Sequence, residues 1–322
     1  MVRKKKTRRS PIALILTIVL MLLAYLFCCA VEFYDLDLGV DLEFTGFNVF
    51  ELFAGKQNIE AETPPVPEEG EVLFHFIDVG QGDAILVTTS DGNMLIDTSE
   101  SKAREELDAY LKSVGVEEIK YLVLTHPDAD HIGNADFIIQ NYKIENIIMT
   151  DYVATSKTYE RLLDAIEQST ASVIQAEAGF QFKIGALSNT VIAPNEDYDD
   201  PNEMSIVIKS TYGETSVMLT GDAEKKSEAD TLKKWSAATF KCDILKVGHH
   251  GSDSSTTVEF LNAVDPEIAV ISCGEGNKYG HPHDEIVDRL TAKGVKIYRT
   301  DIDGDIIFKT DGETFTLVDT EK

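Results

Sequence analysis

The 322 residues include only four cysteines, and no two of them form a CxxC pair. Cys28 and Cys29 fall in an apolar N-terminal run, while Cys242 and Cys273 are isolated at strand-like positions. In a chain of this size that argues against a disulfide framework and against structural zinc held by thiolates. Cations are scarce too: 29 Lys and Arg face 56 Asp and Glu, for a formal net charge of −27. Such a balance argues against a standing cationic surface of the kind that neutralises nucleic-acid phosphates. It reads first as a solubilising surface, and bound divalent cations would offset part of it locally. No internal repeat is present. One uncharged segment alone is long enough to span a bilayer, so these residues cannot build a multi-helix pore.

That segment is residues 11–30, preceded by Arg3-Lys4-Lys5-Lys6 and Arg8-Arg9. Its length matches a hydrocarbon core, and its basic flank belongs in the cytoplasm, which puts everything after it on the outer face. A cleaved signal peptide is the competing reading, with Cys28 and Ala30 as a weak cleavage site. The run is long for a signal-peptide core, which favours a membrane anchor over residues 1–30. Residues 31–70 read as a linker, closing in the Pro- and Glu-rich tether Glu62-Thr63-Pro64-Pro65-Val66-Pro67. Residues 71–322 read as one catalytic-sized domain.

Within it, Thr125-His126-Pro127-Asp128-Ala129-Asp130-His131-Ile132-Gly133 stands out. It follows Tyr121-Leu122-Val123-Leu124, an apolar run typical of a buried strand. Two imidazoles and two carboxylates thus crowd the C-terminal end of a strand, where open α/β sheets keep their chemistry. Alternation along an extended segment lets His126, Asp128 and Asp130 point one way, with His131 just beyond. An acidic loop with incidental histidines is the bland alternative. Four donors in six residues favour a divalent-metal site instead.

Strands are expected at 72–79, 84–89, 93–97, 121–124, 144–149, 172–175, 190–193, 205–212, 216–219, 244–247 and 268–273. Helices are expected at 103–114, 132–142, 157–168, 223–235, 257–264 and 284–293, with hairpin strands around Asp303-Gly304 and Asp311-Gly312. β-rich blocks flanked by helices imply an α/β fold with two sheets packed face to face and helices outside. Loops at strand ends of both halves could then meet along one edge.

Three more donor clusters lie in such loops. Gly221 lets the backbone turn so that Asp222 projects from a strand end, although an isolated Gly-Asp is more often a helix cap. Lys246-Val247-Gly248-His249-His250-Gly251-Ser252 pairs two histidines between glycines. In Tyr279-Gly280-His281-Pro282-His283, Gly280 and Pro282 restrict the backbone around His281. Of seven histidines, only His75 falls inside a strand, as a packed residue.

These stretches, with Phe76-Ile77-Asp78-Val79-Gly80-Gln81-Gly82-Asp83-Ala84 and Leu95-Ile96-Asp97-Thr98, run in an order that resembles the metallo-β-lactamase superfamily. Within it, the chain is similar to the branch typified by the C-terminal domain of the competence DNA-uptake protein ComEC. The resemblance implies an αββα sandwich with a dinuclear site at the sheet edge. Carried over, His126 and Asp128 would hold one divalent cation, and Asp130, His131 and His249 the other, with Asp222 bridging. His250 would stand behind as a substrate contact, or replace His249 as the ligand. The family's usual third histidine has no counterpart; Asn202-Glu203-Met204-Ser205 occupies its place, which puts Asn202 or Ser205 near the first cation. Asp128 stands where His is commoner, hardening the site toward manganese without excluding zinc. Ser99 replaces the usual glycine after Leu95-Ile96-Asp97-Thr98.

The implied chemistry is hydrolysis by a metal-bridging hydroxide, with a phosphodiester held between the cations. Asp130 would orient the hydroxide, and His281 at the mouth, with His250, would serve the substrate. Asp78, Asp83 and Asp97 either brace these loops or cap turns. Ser252 is a turn residue. The expectation is an exported, membrane-anchored phosphodiesterase or nuclease. An esterase acting on wall polymer or phosphorylcholine, and a non-catalytic binding module, are the alternatives. The missing histidine disfavours lactams, and the acidic balance leaves small phosphodiesters open.

Overall fold

A computed structural model describes residues 64–318. The expected membrane segment and most of the linker lie outside the described residues. Among the described residues no helix is long and apolar enough to cross a membrane.

The fold begins with a meander, β1 (Val72–Phe76), β2 (Ile85–Thr89) and β3 (Gly92–Ile96). Helix α1 (Arg104–Ser113) then returns the chain to β4 (Glu118–Leu124), which runs parallel to β3. Two short helices, α2 (Ala129–Ile132) and α3 (Ala135–Asn141), lead to β5 (Lys143–Met149), and α4 (Lys157–Gln168) leads to β6 (Ser172–Gln175). A second meander follows: β7 (Gln181–Ile184), β8 (Leu187–Ala193), β9 (Val207–Tyr212) and β10 (Thr215–Leu219). Helices α5 (Lys225–Lys234) and α6 (Ala237–Phe240) precede β11 (Ile244–Lys246), and α7 (Val258–Val264) precedes β12 (Ile268–Ile271). The chain closes through α8 (Asp284–Ala292), β13 (Lys296–Arg299), α9 (Thr300–Asp303), β14 (Ile306–Thr310) and β15 (Phe315–Val318). One sheet has the order β15-β14-β1-β2-β3-β4-β5-β6 and the other β13-β12-β11-β10-β9-β8-β7. In each, an antiparallel meander passes into parallel strands, and each parallel step takes a helical crossover.

Three apolar layers follow from the period-2 alternation of side chains. Phe74, Phe76, Val87 and Ile96 of the first sheet meet Val191, Ile208, Val217 and Ile244 of the second between the sheets. Leu86, Leu95, Leu122 and Ile147 face the other way, onto Leu107, Leu111, Ile138 and Leu162 of the helices. Met218, Leu245, Ala269 and Ile271 do the same toward Phe260, Leu261, Ile286 and Leu290. This is the expected αββα sandwich.

Some boundaries differ for stated reasons. The helix expected over 132–142 is two helices, because the Asn134 side chain donates to Thr98 O at 2.8 Å and to Glu100 O. That tie to a neighbouring loop breaks the turn at Gly133 and Asn134. β7 has no counterpart in the expected elements; it is a four-residue edge strand with alternating exposed and buried positions. No hairpin forms around Asp303-Gly304. β13 pairs with β12 in one sheet and β14 with β1 in the other, so α9 and Gly304 carry the chain across. The hairpin at Asp311-Gly312 does form, between β14 and β15.

Candidate metal centre

Three loops at the strand ends place their polar side chains around one atom. Asp222 Oδ2 lies 3.3 Å from His131 Nε2, 3.5 Å from His250 Nε2, 3.7 Å from His249 Nε2 and 3.9 Å from His126 Nε2. Asp222 follows β10, His126 and His131 follow β4, and the paired histidines follow β11. Asp130 Oδ2 is 3.6 Å from His250 Nε2, and Asp128 Oδ2 is 3.9 Å from His126 Nε2.

The rings are aimed from behind. His131 Nδ1 donates to Asp97 Oδ2 at 2.7 Å. Thr125 Oγ1 donates to the same oxygen at 2.6 Å, which leaves the hydroxyl oxygen to accept from His126 Nδ1 at 3.1 Å. His250 Nδ1 donates to the Ser272 carbonyl at 2.9 Å. In all three rings the outer nitrogen is spent on the scaffold and Nε2 faces the cluster, the arrangement that fixes tautomer and direction in metal-binding imidazoles. Asp83 Oδ1 stands 3.4 Å from His250 Nδ1, and Asp83 Oδ2 pairs with the fully buried Lys246 at 3.0 Å.

Two glycines allow the loops to close. A Cβ on Gly82 would lie 2.3 Å from the Asp130 carbonyl oxygen, on backbone at φ +126°. Gly221, at φ +51°, leaves its carbonyl to accept from His249 N at 3.1 Å. His249 and His250 themselves have φ of 47° and 54°. Non-glycine residues in the left-handed region are uncommon, and two in succession mark a segment held by its surroundings.

That backbone decides which member of the histidine pair points inward. The resemblance put His249 in the ligand set and His250 behind it. Here His250 is buried against Asp130, His131 and Asp222, while His249 is partly exposed and its Nδ1 turns to Glu224 Oε1 at 3.0 Å. Consecutive left-handed residues swing the second ring under the first, so His250 takes the inner place and His249 the rim.

Electrostatics reflect the crowding. Burial alone would lower the His131 pKa, but Asp222 and Asp97 hold it well above the imidazole range. Burial is likewise overcome at His250, which Asp222, Asp130 and Asp83 raise to about 10. At His126 burial and the neighbouring His131 outweigh Asp222 and Asp130 and depress it to about 3. Burial would raise Asp222, yet the histidines around it keep its carboxyl well below the usual range.

The donor set fits a divalent cation on the geometry alone. Ligand atoms of a tetrahedral site with bonds of about 2.0–2.1 Å stand roughly 3.3–3.4 Å apart. His131 Nε2, His250 Nε2 and Asp222 Oδ2 are separated by 3.3, 3.3 and 3.5 Å. His126 Nε2 and Asp222 Oδ1 are buried without a hydrogen-bond partner, as expected of atoms reserved for an ion. Among four overlapping donor groups, two contain the motif residues that face the opening, His126 with His131 and Asp222, and Asp130 with His131 and His250; the other two draw on Asp83 behind the cluster.

The remaining expected residues sort by contact. Ser205 Oγ lies 3.3 Å from His126 Nδ1 and accepts from Asp222 N, so it braces both loops. Asn202 Oδ1 is buried without a partner. Asp83 and Asp97 sit behind the cluster, whereas exposed Asp78 accepts from Gly80 N and caps a turn. Ser252 bonds Ser254 within its own loop. His75 is a core residue, bonded to Tyr110 and Thr88. His281 stands at the mouth, its ring centroid 5.5 Å from that of His249 and its Nδ1 without a partner.

Three supports went unassigned from sequence: Thr125, Glu224 and Lys246. Only Lys246 left a signal, a cation inside the apolar run Ile244-Leu245-Lys246-Val247, which burial forces to find a carboxylate.

Known proteins agree with this architecture. The profile of the metallo-beta-lactamase superfamily matches residues 77–275. Over 265 residues the chain is 32% identical to the ComE operon protein 3 of Bacillus subtilis, covering 76% of this chain and 34% of that protein. It is 31% identical over 259 residues to the competence protein ComA of Neisseria gonorrhoeae, covering 80% of this chain and 34% of that one. The chain thus spans about a third of the length of these relatives. The metallo-beta-lactamase fold protein YhfI from Bacillus subtilis superposes with a TM-score of 0.51 at 11% identity, over 74% of this chain and 100% of that one, a likeness of fold. With the profile lying over the site-bearing loops, the chain belongs to the metallo-β-lactamase superfamily, whose members are generally metal-dependent hydrolases, and within it is similar to the ComEC-type competence proteins.

Proposed function

We propose that this chain is an exported, membrane-anchored phosphodiesterase that works with two divalent cations. The reading rests on one observation, the convergence of four imidazole Nε2 atoms within 3.9 Å of the single oxygen Asp222 Oδ2. His126 and Asp128 would hold one cation and Asp130, His131 and His250 the other, with Asp222 available to both. Imidazole with carboxylate suits zinc or manganese, and the two motif carboxylates Asp128 and Asp130 favour manganese. Bound there, such a pair supplies Lewis acidity at a phosphoryl oxygen and a nucleophile from water at neutral pH.

The chain's own groups do the rest. Asp130, whose carboxyl His250 and His131 hold well below the usual range against its burial in the metal-free chain, would orient the attacking water. Burial and neighbouring imidazoles depress His281 to about 4, so it meets the substrate as a neutral ring that donates one N–H to the leaving oxygen. His249, held by Glu224, lies at the rim within reach of a phosphoryl oxygen. Similarity to competence proteins makes DNA the first polymeric phosphodiester to try. The basic flank and uncharged run of residues 1–30 support an anchor with the domain outside the cytoplasm.

The full chain, loaded with manganese or zinc, is assayed against bis-p-nitrophenyl phosphate and DNA, with chelator as control. Turnover that is lost on chelation and restored by the metal supports the proposal. Two bound cations without phosphodiester cleavage refutes it. Protease access from outside intact cells tests the topology.

A further inference from the structure

A line of rings leads out of the cluster. His281 stacks 6.3 Å from His250 at an interplanar angle of 29°, and Tyr279 stacks 5.6 Å from His281 at 21°. His250 is buried, His281 half-buried, and Tyr279 48% exposed. Beyond lies a groove of about 420 Å³, lined by Gln81, Glu100, Lys102, Glu275, Lys278 and Tyr279.

The exposed ring is held in place. Asn277 Nδ2 donates to Gly274 O and to His281 O, and Asn277 Oδ1 accepts from Tyr279 N and His281 N. One side chain therefore pins the backbone of both rings, so Tyr279 is presented at the rim with its partner.

The groove does not attract by net charge. Its two lysines face two glutamates, and Lys102 is paired with Glu100 at 2.7 Å. On a chain of −27, a phosphodiester must be gripped by something besides long-range attraction. Stacking on an aromatic ring does this without regard to base identity.

We infer that Tyr279 is a stacking platform for the nucleobase beside the scissile phosphodiester, with Lys278 at the flanking phosphate. Lys278 Nζ lies 4.8 Å from the Tyr279 ring centroid. A neutral base meets no repulsion from that ammonium, whereas a quaternary ammonium would have to displace a like charge from the ring face. An incoming base displaces the exposed Lys278 chain from the ring, and its ammonium then pairs with phosphate. This rests on the phosphodiesterase reading and adds the substrate class: phosphodiesters of nucleosides.

The test compares a single-stranded oligothymidylate with an abasic oligonucleotide of equal length, using the full chain. KM for cleavage is measured with metal, and fluorescence anisotropy of the labelled strands is measured in chelator. Wild type is expected to favour the base-bearing strand by roughly 5- to 100-fold in both readouts. Tyr279→Ala erases that preference, Tyr279→Phe keeps it, and Lys278→Ala weakens both strands alike. A wild type that cleaves both strands equally well overturns the platform and leaves the phosphodiesterase intact. Cleavage of neither, with two cations bound, sinks both. A Tyr279→Ala defect on p-nitrophenyl phosphorylcholine but not on oligothymidylate overturns the inference in favour of a choline ester.

Discussion

Asp97 Oδ2 lies 2.7 Å from His131 Nδ1, with both side chains fully buried. The same carboxylate accepts from Thr125 N and Thr125 Oγ1, so a single residue sets the direction of His131 and, through the Thr125 hydroxyl, of His126. Asp97→Asn would turn an N–H toward an imidazole N–H or force a tautomer change. Metal affinity is expected to fall about 10- to 100-fold, as is usual when a ligand's outer partner is removed. Competition with a chromogenic chelator measures it, and unchanged affinity would show that Asp97 is a packing residue.

The histidine pair offers a second comparison. His250→Ala removes a donor from the inner group and is expected to cost bound metal, while His249→Ala leaves Asp130, His131 and His250 together and retains that cation. Metal content of the two purified variants decides between them. The opposite ranking would restore His249 as the ligand.

Lys246 and Asp83 form a buried ion pair whose disruption leaves an unpaired charge. Lys246→Met is expected to destabilise the fold by about 3–5 kcal/mol, with much of the loss recovered in the double variant with Asp83→Asn. Burial pushes Asp83 up, but Lys246 and His250 outweigh it and hold the carboxyl at about 2 against an ordinary 3.8. Because the folded value is the lower one, the pair's contribution is complete above the unfolded pKa and disappears as pH falls through about 2. Denaturant titrations of wild type and double variant between pH 2 and 5 should converge toward the acid end.

Metal and protons compete for the same nitrogens. The metal-free chain holds protons on His131 and His250, the latter to about 10, and ligation requires neutral rings. Metal uptake at pH 7 is therefore expected to release protons, and affinity to fall as pH drops from 8 to 6. Calorimetry in buffers of different ionisation enthalpy counts the protons. Buffer-independent heats would contradict the arrangement.

Much of this could be read along the chain. The donors within residues 125–133 are close in sequence, and the period-2 strands with intervening 3.6-period helices imply two sheets with helices outside. Local competition was harder to see. Asn134 ends a helix because its amide is spent on Thr98 and Glu100, residues more than thirty positions away. β7 is too short and too half-exposed to stand out from a turn, and it owes its pairing to β8. Around Asp303-Gly304 a turn was legible, but not that its two strands belong to different sheets.

The sequence alone determined which donors exist and that they end strands, since residue type and hydrophobic period are local properties. Only the tertiary structure decided which of the paired rings is buried in the cluster and which stands partly exposed at its rim. Inward or outward at His249 and His250 depends on two left-handed residues, the Ser272 carbonyl and Glu224. Those partners come from separate segments, and they meet only because two sheets pack with their loops on one edge.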